Sequence, residues 1–378
     1  MSIFDTVLDR RGTDSTKWNA QEPDILPLWV ADMDFASPQP VIDAMAERLA
    51  HPVFGYARAD DSVYQAVIDH YHRQFGADVK KEWIIFLPCI NVGVNLACRM
   101  AEGDLMMAPP VYSHIYMKLA EEAGRRRITV PLRCEQGRFS MDFEAMERAA
   151  EENTVGAFVL CNPHNPVGRV YTREELNGLM AFAERHDMLV IADEIHSDLV
   201  LSGRHIPFFS LGEAARSRSV TLHSISKTYN TPGIPIGYAV IPNGDLRDKF
   251  ARECFGVLPG LSVLALAALK AAFTDCEPWY QELLAYLREN QRYLRERISQ
   301  IKGLSLFAEN EATYMAWVDA SALGLDHPYR FFREQARVRF GDGAEFGDGQ
   351  CVRINFGCPR STLAEAMDRV ETALRQRG

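Results

Sequence analysis

Between about residue 60 and residue 260, short apolar runs alternate with amphipathic stretches. The strand-like runs are Trp83–Leu87, Leu105–Ala108, Arg127–Leu132, Val155–Cys161, Met188–Ala192, Ser219–His223 and Ile236–Ile241. Helical spacing of apolar residues marks Ser62–Phe75, Val92–Met100, His114–Ala123, Asp142–Ala150 and Thr172–His186. Thr172 followed by Glu175 makes a capping box, which fixes the start of the last of these. Runs that are apolar throughout, with helices between them, predict a largely parallel sheet buried on both faces. Such sheets bind ligands at the carboxyl ends of their strands, and Asp193 and Asn165 stand at that edge.

Past this region the pattern changes. Glu277–Gln300 reads as one long helix with Leu283, Leu284, Leu287, Tyr293, Leu294 and Ile298 on its apolar side. Thr313–Val318 and Cys351–Phe356 are strand-like, and Ser361–Arg375 is helical with Ser361 as its cap. Two copies of Phe-Gly-Asp-Gly, starting at Phe340 and Phe346, are expected as turns around a short loop. At 378 residues the chain exceeds the length at which a single core stops growing, about 250–300 residues. The expected fold class is therefore α/β: a large domain (46–276) holding a mostly parallel seven-stranded sheet, and a smaller α+β domain (1–45 and 277–378).

Composition narrows the functional classes. With 47% hydrophobic and 24% charged residues the chain is ordinary globular protein. A net charge of −10 disfavours nucleic acid and acidic membranes as partners. No run has the apolar length of a bilayer span, and Met1–Asp5 has no signal-peptide character, so a cytoplasmic location is expected. The eight cysteines lack close pairs or metal spacing, as in a reducing compartment. The ten histidines show no ligand pattern either; His70 and His72 are expected to be solvated, and no metal is expected.

Three strand ends carry candidate chemistry. Lys227 lies in Ser224-Ile225-Ser226-Lys227-Thr228 after one run, Asp193 closes another, and Asn165 follows a third in Cys161-Asn162-Pro163-His164-Asn165-Pro166-Val167-Gly168. Singly these read as a solvated loop lysine, an aspartate capping a turn and an Asn-Pro turn. Together they supply the amine, carboxylate and amide that pyridoxal phosphate requires, the cofactor itself acting as electron sink.

Further segments carry a resemblance. Lys17-Trp18-Asn19, Leu26–Phe35, Cys161–Val170, Asp193–Leu199, Ser226-Lys227-Thr228-Tyr229-Asn230 and Arg353–Ser361 resemble fold-type I aminotransferases. More narrowly, they resemble the C–S lyase branch, the cystathionine β-lyases of the MalY/PatB type, from about Phe4 to Arg369. The resemblance implies that Lys227 carries pyridoxal 5'-phosphate, that Asp193 pairs with the ring nitrogen and Asn165 with the ring oxygen, and that Tyr112 stacks on the ring. His196 stands beside that oxygen where many relatives have tyrosine. Ser224, Ser226 and the backbone of Cys89, Ile90 and Asn91 would meet the phosphate. Arg353, with Asn165 and Ala31, would meet the amino-acid substrate, its guanidinium gripping the carboxylate. Tyr56 would reach the phosphate of a neighbouring subunit, making the enzyme a homodimer. Two positions depart from the family: Cys89 where glycine is common, and Pro235 where a basic or long polar residue is frequent. The implied reaction is β-elimination from an L-cysteine S-conjugate. A transaminase, an oxidative or decarboxylating variant, or a regulator without turnover remain alternatives.

Overall fold

The computed structural model describes residues 2–307 and 310–377. Its strands are β1 (Leu26–Leu28), β2 (Ile84–Leu87), β3 (Asp104–Met107), β4 (Arg127–Thr129), β5 (Arg133–Glu135), β6 (Arg138–Ser140) and β7 (Val155–Cys161). They continue as β8 (Leu189–Asp193), β9 (Ser219–His223), β10 (Gly237–Val240), β11 (Ser305–Leu306), β12 (Met315–Asp319), β13 (Val338–Asp342) and β14 (Cys351–Asn355). Seven of them form one sheet in the order β2-β10-β9-β8-β7-β3-β4. All its neighbours run parallel except β10, which is antiparallel to β2 and β9. Each of the seven apolar runs supplies one of these strands.

The sheet is buried on both faces, so its alternating side chains enter different cores. Ala157, Val159 and Cys161 of β7 pack with residues of the helix Ile90–Arg99. Phe158 and Leu160 pack instead with Leu179 and Phe182 of the helix Arg173–Arg185. The Thr172 capping box is present at the start of that second helix.

A five-stranded sheet, β1-β13-β14-β12-β11, stands apart from the first. It joins the N-terminal strand β1, parallel to β13, to strands from the last quarter of the chain. The helix Glu277–Gln300 buries Leu283, Leu284, Leu287, Leu294 and Ile298, as its spacing predicts. In that apolar row Asn290 is also buried, because its Nδ2 donates to Phe356 O (2.9 Å) and Cys358 O (2.7 Å).

Four readings need correction. The last helix spans Arg360–Gln376 with Pro359, not Ser361, at its N-cap. The first Phe-Gly-Asp-Gly copy is mostly strand, since Phe340–Asp342 lies in β13 between β1 and β14; the second does form a turn, with Gly347 at φ 104°. His70 is buried rather than solvated, stacked on Phe273 at 3.9 Å. The helix Val263–Asp275 was not anticipated; it is apolar on nearly every side, so no stripe betrays its period. Among the described residues no helix is long and apolar enough to cross a membrane.

Truncating the fully buried Leu287 to Ala should lower stability by about 3 kcal/mol, read from the midpoint of urea unfolding.

Candidate active site

At the carboxyl edge of the large sheet, β7, β8 and β9 end side by side and deliver three loops to one place. Twelve residues singled out in the sequence (Ala31, Cys89, Ile90, Asn91, Tyr112, Asn165, Asp193, His196, Ser224, Ser226, Lys227 and Arg353) line one cavity of about 300 Å³. Tyr56 does not. Its side chain is fully in solvent, on a stretch joined to residue 261 by a bridge at Ala57.

The cavity is roofed by the segment following β1. Asn230, at φ 53°, accepts from Met33 N (2.9 Å) and donates to Met33 O (3.0 Å) and Phe35 O (2.7 Å). From the other side Asn355 donates to Val30 O (2.6 Å) and Asp32 O (2.7 Å). Arg10 and Lys17 pin Asp34, each at 2.7 Å, and Trp18 donates to the same carboxylate at 2.8 Å. The roof so held turns Ala31 O inward, where it accepts from Lys227 Nζ (2.7 Å) and Tyr314 OH (2.9 Å).

Burial sets the electrostatics. Desolvation pushes the Lys227 amine down to about 8, with Arg353 acting in the same direction and Asp32 and Asp193 opposing. Desolvation raises the Asp193 carboxyl, while a hydrogen bond from Tyr116 (2.7 Å), one from Ile195 N (3.1 Å) and the charge of Lys227 favour its anion. His196 falls to about 3 through burial, which keeps it neutral, and its Nδ1 has no protein partner. Burial also lowers Arg353 to about 10, leaving it a cation at neutral pH. Its Nη1 donates to Asn165 Oδ1 (3.1 Å), its Nη2 to Trp29 O (2.7 Å), and its plane lies over Phe346 at 4.6 Å.

The helix Ile90–Arg99 starts at the cavity, with Cys89 at its N-cap and no side chain capping it. Its leading N–H groups therefore offer an anion site. Facing them, Ser224 Oγ accepts from Ser226 N (3.1 Å) and donates to Ile236 O (2.6 Å).

Sequence reasoning missed three neighbours of this site. Tyr116 could have been found one helical turn beyond Tyr112. Trp29 and Glu345 carried no local signal. A fourth feature lies behind Lys227: the buried Asp198 carboxylate meets His70 Nε2 (2.9 Å), Thr228 Oγ1 (3.3 Å) and His223 Nε2 (3.4 Å). These come from three separate stretches of chain, around His70, Asp198 and His223–Thr228, so no sequence spacing reveals the cluster. Burial lowers His70, whereas the two histidines hold Asp198 well below the usual carboxylate range.

Residues 23–370 match the family of class I and II aminotransferases, and the chain belongs to it. It is 35% identical to the cystathionine β-lyase PatB of Bacillus subtilis, an alignment covering 98% of this chain and 99% of that one. Among solved structures, OvoB superposes with a TM-score of 0.93 at 40% identity, covering 98% of each chain. Cystalysin from Treponema denticola, which contains pyridoxal 5'-phosphate, superposes with a TM-score of 0.93 at 28% identity, covering 99% of each.

In the cofactor-free protein, labelling of Lys227 by an amine reagent should rise through a midpoint near pH 8, because the neutral amine is the reactive form. Peptide mass spectrometry across a pH series checks this; a midpoint near an ordinary lysine's 10.5 would contradict the burial argument.

Proposed function

We propose that the chain is a pyridoxal-phosphate-dependent carbon–sulfur β-lyase, cleaving cystathionine or related L-cysteine S-conjugates to thiol, pyruvate and ammonia. The observation that carries it is the convergence of Lys227, Asp193, Asn165 and Arg353 on one cavity, in a chain whose full-length relatives include cystathionine β-lyases.

The donors present fit the cofactor. Lys227 would hold it covalently, Asp193 would face its ring nitrogen, and Tyr112 would cover its ring. Asn165 gives its Oδ1 to Arg353, which leaves its Nδ2 for the ring oxygen, beside the unpartnered His196 Nδ1. The uncapped helix start at Ile90, with Ser224 and Ser226, would take the phosphate. Pro235 brings no cation there, so amides and hydroxyls carry that contact, joined by Tyr56 from a second copy in a homodimer. Such an enzyme fits the cytoplasm.

Bound there, the cofactor supplies an electron sink for charge developing at the substrate's α-carbon. Arg353 orients the substrate by a paired contact to its carboxylate. Once the substrate's own amino group had taken its place on the cofactor, the Lys227 amine would be free beside the α-carbon. With its pKa near 8, it can then take the α-proton at Nζ. Asp193, whose anion Tyr116 and Ile195 favour, would hold the ring nitrogen in its protonated form. Elimination then expels the β-substituent as a thiolate, a competent leaving group with a free-thiol pKa of about 8.5.

Incubating purified protein with cystathionine should yield pyruvate and free thiol in equal amounts. Exchange with a keto acid and no thiol would point to transamination, and hydrogen peroxide to an oxidative variant. Lys227→Ala should lower turnover more than about 10³-fold while leaving the circular dichroism spectrum unchanged; robust activity in that variant would overturn the assignment.

A further inference from the structure

Ala31 O accepts from two donors, Lys227 Nζ at 2.7 Å and Tyr314 OH at 2.9 Å. The proposed chemistry requires the first donor to leave and gives the second nothing to do. Tyr314 is fully buried and is not one of the residues lining the cavity. Burial pushes its hydroxyl well above the ordinary tyrosine value, so it stays protonated and able to donate.

The backbone on both sides of Tyr314 is fixed. Thr313 sits at φ 70°, a conformation rare for a β-branched residue. It is held there by Leu199 O, which accepts from Thr313 N (2.8 Å), and by its own Oγ1, which accepts from Met315 N (3.1 Å). Strain of this kind persists only where the surroundings over-determine it, and it concentrates beside functional groups. Phe356 N donates to Tyr314 O at 2.9 Å. Gly357 makes room for the ring, since a Cβ there would lie 3.2 Å from Tyr314 Cδ2 and 2.7 Å from Met33 Cγ. The roof itself does not depend on Tyr314, because Asn355 and Asn230 grip Val30, Asp32, Met33 and Phe35.

We propose that Tyr314 is a positioning residue that keeps the Ala31 carbonyl hydrogen-bonded whenever Lys227 leaves it, and so favours attachment of Lys227 to the cofactor. This rests on the assignment of Lys227 to the cofactor aldehyde and goes beyond it. While free, the Lys227 amine is parked on Ala31 O. Attachment joins the neutral amine and the aldehyde in a carbon–nitrogen double bond with loss of water. The nitrogen then keeps one hydrogen at most, and the cofactor's ring oxygen competes for it. A carbonyl that loses its donor inside a filled cavity is left desolvated and unpaired, which is costly. The Tyr314 hydroxyl removes that penalty in advance. Without it, Lys227 would be the carbonyl's one donor, and the carbonyl would hold the amine back.

The full-length Tyr314→Phe variant, stripped of cofactor, tests this with two ligands. One is pyridoxal 5'-phosphate; the other is 4-deoxypyridoxine 5'-phosphate, which has no aldehyde. Binding is read from protein fluorescence, and attachment to Lys227 from borohydride reduction followed by peptide mass spectrometry. Relative to wild type, affinity for pyridoxal 5'-phosphate should fall about tenfold. Affinity for the deoxy analogue should be unchanged, because Lys227 stays on Ala31 O when that ligand binds. An equal fall for both ligands marks a residue that only supports the fold and overturns the inference, as does no fall for either. Absence of cofactor from Lys227 in the reduced wild type sinks the assignment of that lysine instead. Should Tyr314→Phe not fold, a crystal structure of the cofactor-loaded wild type decides. Tyr314 OH still on Ala31 O, with Lys227 Nζ gone from it, supports the role; Tyr314 turned away, or Nζ still in place, overturns it.

Discussion

Everything in this molecule is arranged around an amine kept out of water. Moving an ammonium group into a protein interior costs several kcal/mol even after relaxation. The chain offsets that cost at Lys227 with the Ala31 carbonyl and with the charges of Asp32 and Asp193. The compromise leaves the amine poised between its charged and neutral forms near physiological pH. A solvated lysine would stay protonated and chemically idle, and a lysine buried without partners would destabilise the fold. The two sheets, the roof and the helix start can be understood as the frame that holds this balance.

The frame works because polar side chains, not apolar packing alone, fix the loops. Asn230 and Asn355 grip the roof from opposite sides through backbone groups that water would otherwise have to satisfy. Asp198 does the same beneath the floor, tying the loop after β8 to the residue beside Lys227 and to the end of β9. A buried carboxylate with several donors around it is strong only while the whole set is complete. The geometry of the lysine loop is thereby coupled to His70, on a helix that contributes nothing to the cavity wall.

How much of this could be read from the sequence follows from how local each signal is. The strands of the large sheet were legible because β7, β8 and β9 are apolar throughout and bounded by breakers. That Lys227, Asp193 and Asn165 meet at one cavity was legible because each stands at or just past the end of such a strand. Arg353 and Ala31 came from resemblance alone, since on pattern they are an ordinary strand residue and an ordinary loop residue. Asp198 with His70 and His223 was invisible: its members lie far apart in the chain, and burial of a histidine depends on packing that no local pattern encodes. The helix Val263–Asp275 failed for the opposite reason, being too uniformly apolar to show a period. Ser361 was mistaken for a cap because proline at the N-cap leaves no side-chain signature.

The walls of the cavity draw on residues far apart in sequence, Trp29 before the large sheet and Arg353 well after it. β1 can take its place only when β13 is available to receive it. During synthesis, then, the large sheet can assemble on the ribosome while the pocket stays unroofed. A chain made only as far as the lysine lacks the strand that seats β1 and the Ala31 carbonyl behind it, and lacks the guanidinium that would orient a substrate. Chemistry is thereby deferred until β13 and β14 have been made.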